Sequence, residues 1–183
     1  MRNFIGALLL SILSSSCVVY GEHTTSDFAP IVEKPCLHKE ENGMYLFTEN
    51  EEINFAYEKI GIVEAAGGEF AKLDEVLDEL KYLAWNNCAN GIINIKRKSS
   101  IRETGTTFMD DEETYASKLL TGTAVRIVVD DEFINDQAGN QSSLDFVQNV
   151  EARKIQESKQ TETEASAGVI ALILSVIVAI MAI

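Results

Sequence analysis

Three Cys and two His are the residues best suited to metal or nucleophile chemistry in this 183-residue chain. Cys36 and His38 stand one residue apart, with His23 upstream, and have the character of a ligand pair. A structural zinc site takes four ligands, and no second pair stands at a matching spacing. Cys36 and Cys88 have another use. If Cys17 leaves with a leader or takes a lipid, an even pair remains, and one disulfide between Cys36 and Cys88 is expected. It would close a loop of about 50 residues and add about 4 kcal/mol. Two unpaired, partly buried thiols are the alternative.

The carboxylates offer less. Asp110-Asp111-Glu112-Glu113 and Asp130-Asp131-Glu132 are dense, but they lack the alternate-position spacing and central Gly of a calcium loop. Lys96-Arg97-Lys98 with Arg102 is the one basic patch, and strand alternation places Lys96 and Lys98 on an open sheet face. Asn140-Gln141-Ser142 fits a glycosylation sequon and signals a loop. The motifs G-x-S-x-G, P-loop, H-E-x-x-H and C-x-x-C are all missing. No catalytic residue, cofactor or metal is expected, and the chain reads as a non-enzyme.

Composition narrows the partners. Fifteen basic against 29 acidic residues give a formal net charge of -14. Nucleic-acid binders draw their affinity from basic side chains that neutralise phosphate, so no nucleic-acid partner is expected. All the acids lie between Glu22 and Ala165, which sets the two ends apart.

Those ends give an address. Arg2, an apolar run from Phe4 to Leu13 and a small-residue exit make residues 1–21 a secretory signal. Leu13-Ser14-Ser15-Ser16-Cys17 also approaches a lipoprotein signal, which would lipidate Cys17, but Leu13 stands one residue too far upstream. Residues 165–183 carry no charge and reach about 28 Å as a helix, near the thickness of a bilayer core. A single transmembrane helix is expected there. A GPI-attachment signal fits less well, because the small residues Ala165-Ser166-Ala167 abut the apolar run with no polar spacer. The chain therefore reads as membrane-anchored, with its acidic middle outside the cytoplasm, in a periplasm or at a cell surface.

Between the ends, hydrophobic periodicity predicts one α+β domain over 43–131. One amphipathic helix packs on a small antiparallel sheet. Residues 22–42 hold both Pro residues and no steady period, and read as an extended arm. Met44–Thr48, Lys59–Ala65, Ile92 onward and Tyr115–Asp130 read as strands. Phe70, Leu73, Val76, Leu77, Leu80, Leu83 and Ala84 recur at threes and fours, which predicts a helix over 69–87. Lys72, Asp74, Glu75, Asp78, Glu79 and Lys81 fall on its wet side. Residues 132–164 are polar, acidic and partly helix-prone, and read as a stalk towards the membrane.

The order of short apolar motifs resembles a known family. Met44-Tyr45-Leu46-Phe47 is followed by Gly61-Ile62-Val63, then by a helix ending in Ala84. Cys88-Ala89-Asn90-Gly91-Ile92-Ile93 and Gly122-Thr123-Ala124-Val125-Arg126 complete the set. This pattern is similar to that of the RcsF-type envelope lipoproteins and the YbjQ-type domains once called heavy-metal-binding. It covers about half of the chain, and its motif positions are Gly61, Val63, Ala89, Asn90, Gly122, Ala124, Val125 and Arg126. The resemblance implies one main helix on an antiparallel sheet. It implies either a sensor that contacts other envelope proteins or a ring-forming, ligand- or metal-binding module. The chain departs from the family in three ways. At most one disulfide can form, Cys88 stands where the turn usually has Gly, and the C-terminal apolar segment is additional. The expected partners are the membrane, through 165–183, and another envelope protein or a second copy.

Overall fold

The computed structural model describes residues 24–32, Cys36, Lys39, 43–68, 71–104 and 113–159. The leader reading of 1–21, the lipidation candidate Cys17, both His residues, the acidic run 110–112 and the membrane segment 165–183 lie outside the described residues. Among the described residues, no helix is long and apolar enough to cross a membrane.

The fold is α+β, built on one six-stranded sheet. The strands are β1 (Thr24–Pro30), β2 (Met44–Thr48), β3 (Tyr57–Gly67), β4 (Gly91–Thr104), β5 (Glu113–Ile127) and the two-residue β6 (Gln141–Ser142). Helix α1 (Leu73–Asn86) joins β3 to β4, α2 (Asp131–Gln137) follows β5, and a third helix, α3, spans 145–159. The sheet order is β1-β3-β5-β4-β2-β6.

The sheet is mixed, not antiparallel as expected. Four neighbouring pairs are antiparallel, but β2 runs parallel to β4, with Tyr45 opposite Gly91 and Leu46 opposite Ile92. The β4–β5 hairpin occupies one side of β4. Strand β2 is separated from β4 by β3 and α1, a connection long enough to return it in the same direction.

Two clusters of apolar side chains sit on opposite faces of the sheet. Met44, Val63, Ile92, Leu120 and Ala124 face α1 and meet Val76, Leu80 and Ala84. Tyr45, Phe47, Ile93, Val125 and Ile127 face the other way and meet Phe133 of α2, with Ile53 and Phe55 packed alongside. Adjacent residues such as Ile92 and Ile93, or Ala124 and Val125, are therefore buried on opposite faces. A strand buried on both faces reads as an unbroken apolar run, which explains Met44-Tyr45-Leu46-Phe47 and Gly91-Ile92-Ile93.

Two parts of the chain expected to hang free belong to this body. The first third of the expected arm is β1, paired with β3 from Thr24 opposite Gly67 to Pro30 opposite Gly61. The expected stalk contributes Phe133, Phe146 and Val150 to the buried core. The wet side of α1 is correspondingly drier than its polar residues predict, for Glu79 and Lys81 are buried. Helix α3 packs over this side and supplies a base to Glu79, which also accepts from Ser26 of β1, whereas Lys81 pairs with Asp78 of its own helix and donates to Ser142 of β6. Lys154 Nζ lies 3.1 Å from Glu79, Asn149 donates to Asp78 at 2.9 Å, and Arg153 donates to the Glu75 carbonyl at 3.1 Å. Buried charges persist only when paired, so the polar face of one helix was matched to a polar face on another.

Candidate functional site

The cysteines settle first. Cys36 and Cys88 form a disulfide with their Cα atoms 5.3 Å apart, so Cys36 is not free to pair with His38 on a metal. Cys88 also ends α1. Its φ is +62°, its N–H donates to the Trp85 carbonyl at 3.0 Å, and the next N–H, from Ala89, reaches back to Ala84 at 3.1 Å. That is a Schellman C-terminus with a left-handed residue at the position Gly usually takes.

The motif positions form a junction between α1 and the sheet. Asn90 is buried, and its side chain clasps Ile127 of β5. The amide donates to the Ile127 carbonyl at 2.9 Å, and its oxygen accepts from the Ile127 N–H at 2.7 Å. The Asn90 carbonyl accepts from Tyr45 N–H at 2.9 Å, which places β2 beside β4. Arg126 donates to the Cys88 carbonyl at 3.2 Å and lies 3.6 Å from Glu58. Val63, Ala89, Ala124 and Val125 are core residues. Gly61 lies under the Phe28 ring and Gly122 against Ile92, where a Cβ would collide. These eight positions build the scaffold and gather no reactive group.

Other polar residues also prove to be structural. Asp130 caps α2 by accepting from Phe133 N–H at 2.8 Å, and Asp131 and Glu132 occupy its first turn. Acidic residues are favoured there by the exposed N–H groups and the helix dipole, which accounts for the run without calcium. Among the described residues, no group of three His, Cys, Asp or Glu gathers closely enough to hold a metal. Asn140 of the sequon donates to Glu51 at 3.2 Å and to Gln137 at 3.0 Å, so its amide is engaged within the fold. Lys96 pairs with Glu49 at 3.1 Å, while Arg97 and Lys98 are exposed beside it on β4.

Two ionisable groups are perturbed around the second cluster. The Glu51 carboxyl is held below its ordinary 4.5, first by the Thr48 N–H at 2.8 Å, then by the Thr48 hydroxyl at 2.7 Å. Burial raises the Tyr45 phenol above its ordinary 10.0. Glu51 thereby fastens the loop after β2, which carries Ile53 and Phe55 over the second cluster.

An open depression of about 370 Å³ lies at the edge of that cluster, between residues 54–56, Val128, Asp130 and α2. Phe55 and Phe133 line it, their rings edge-to-face with centroids 4.9 Å apart. Val128 and the carboxylates of Asp130, Glu132 and Asp136 complete the wall. Sequence reasoning did not find this feature. The available signal was a stretch from 127 to 152 that has acids and aromatics but no Lys or Arg.

No protein-family model and no curated protein matches this chain. A similar solved structure is the orthorhombic crystal form of FvfA, a Francisella virulence factor. The match has 16% identity, a TM-score of 0.37, and covers 56% of this chain and 97% of that one.

Proposed function

We propose that this protein is a membrane-anchored module outside the cytoplasm, of the RcsF/YbjQ-like kind, that works by contacting another envelope protein and not by catalysis. The observation that carries the reading is the Cys36–Cys88 disulfide. Such bonds persist in oxidising compartments and are rare where cytosolic reductants act. The leader-like and membrane-like ends of the sequence point to the same side of a membrane.

The polar residues that sequence reading offered for chemistry support a contact role as well. Cys36, Asp130 and Asn140 are each engaged in holding the fold. Crosslinking in intact cells, followed by mass spectrometry of the captured chain, tests the reading. A specific protein partner, a processed N-terminus and an oxidised 36–88 link are expected. A freely dissolved intracellular product with its first residues attached and both thiols free would overturn it.

A further inference from the structure

We infer that the depression beside α2 is the docking site for a basic, apolar segment of a partner protein. The inference rests on the contact role proposed above and names the surface that performs it.

The first observation is apolar exposure. Val128, an exposed large hydrophobic residue, lines this depression, and Tyr57, also exposed, stands beside it with its ring 6.2 Å from that of Phe55. Val128 is 69% exposed on its wall. Exposed apolar side chains are unremarkable singly, but a contiguous group with a polar rim marks an interaction surface.

The second is a preformed floor. Phe55 packs on Phe47 at 4.9 Å, on Phe133 at 4.9 Å and beside Tyr57 at 6.2 Å, and Phe133 packs edge-on against Tyr45 at 4.8 Å. Phe133 is buried from below, so the floor does not depend on an occupant for its shape. Rigid aromatic groups lose little entropy on binding and dominate interface energetics.

The third observation chooses the occupant. Three carboxylates line the depression, and no base does. Among the described residues, no Lys or Arg forms an ion pair with Glu132 or Asp136. The nearest base before it in the sequence, Arg126, is engaged with Glu58 and the Cys88 carbonyl. A wall with three carboxylates and no base beside an apolar floor repels acidic segments and attracts Lys or Arg. An aromatic floor adds favourable contact with those cations. The complementary segment carries one or two large apolar side chains flanked by basic residues.

The test uses the full chain in detergent and three fluorescent nine-residue peptides, read by anisotropy. One alternates Lys with Leu and Phe. The second replaces Lys by Glu, and the third replaces Leu and Phe by Ser. The first is expected to bind at least tenfold tighter than either of the others. Its affinity is expected to fall at least tenfold in E132Q/D136N and in V128S, and to stay unchanged in E64Q on the open sheet. Equal binding to wild type and E132Q/D136N would overturn the site, as would equal binding of the Lys–Ser peptide. A photo-crosslinker at position 128 or 62 in the cells that make the protein separates this inference from the functional reading. Crosslinks to a protein partner from 128 that are lost in E132Q/D136N support the site. Crosslinks from 62 alone, or from 128 only to a second copy, overturn the site and leave the contact role standing. No protein crosslink from either position overturns the contact role itself.

Discussion

Asn90 holds three strands with one side chain and one carbonyl. Its amide satisfies both backbone groups of Ile127, and its carbonyl takes the Tyr45 N–H. Asn90→Ala would leave the Ile127 N–H and C=O unpaired beside a buried apolar cluster. A loss of about 2–3 kcal/mol is expected in urea unfolding, because an orphaned buried polar group costs its full desolvation. Cys88 presents a different conflict. Its left-handed φ of +62° suits Gly, yet the disulfide requires a side chain there. With the partner cysteine replaced, Cys36→Ala/Cys88→Gly is expected to be more stable than Cys36→Ala/Cys88→Ala by about 1 kcal/mol. The reverse order in paired denaturant titrations would refute the strain. The resemblance marks both positions, but spacing could not reveal the torsion or the reach of the amide to Ile127, 37 residues away.

At the scale of elements, the covering pieces decide what is buried. The loop after β2 lies over the second cluster and is fastened through Glu51. Since the Glu51 carboxyl titrates below 4.5, its contribution is fully present above that pH and is lost as pH falls through the lowered value. Hydrogen exchange at the Thr48 amide is therefore expected to lose protection only below about pH 4.5. Glu51→Gln should remove that pH dependence. Helix α3 is the second covering piece. Phe146 is 1% exposed within the main cluster, while Ile155 on the same helix is 55% exposed. Phe146→Ala is expected to cost about 3–5 kcal/mol, and Ile155→Ala to stay within about 0.5 kcal/mol. Equal small losses in thermal unfolding would restore the free stalk that composition predicts. The stretch reads as a stalk because its few apolar residues are outnumbered. Leu144, Phe146, Val147 and Val150 nevertheless share a stripe at helical spacing, enough to dock a helix that also carries Arg153 and Lys154 for α1.

For the whole molecule, the disulfide links the segment before β2 to the end of α1 across 52 residues. Reduction is expected to lower stability by about 4 kcal/mol, most of it by freeing the unfolded chain. Parallel unfolding with and without reductant checks this, and identical midpoints would show that the bond contributes nothing. A domain of this size has a modest core, so a loss of that magnitude is a large share of its total stability.

The sequence by itself determined the α+β class, the main helix and the positions of β2 to β5, and it narrowed the cysteines to one candidate pair. Each depends on a pattern local to the chain or on a count. Periodicity places Val76, Leu80 and Ala84 on one face of α1, and three Cys, one of them in a stretch that reads as a leader, leave two to join. Only the tertiary structure decided the parallel β2–β4 pair, the strand within the expected arm, the helix docked on the polar face of α1 and the acidic aromatic depression. Those features arise where residues remote in sequence meet, as Tyr45 meets Phe133 and Glu79 meets Lys154. A polar residue looks the same in sequence whether water or another helix satisfies it, and that choice is made only when the surfaces pack.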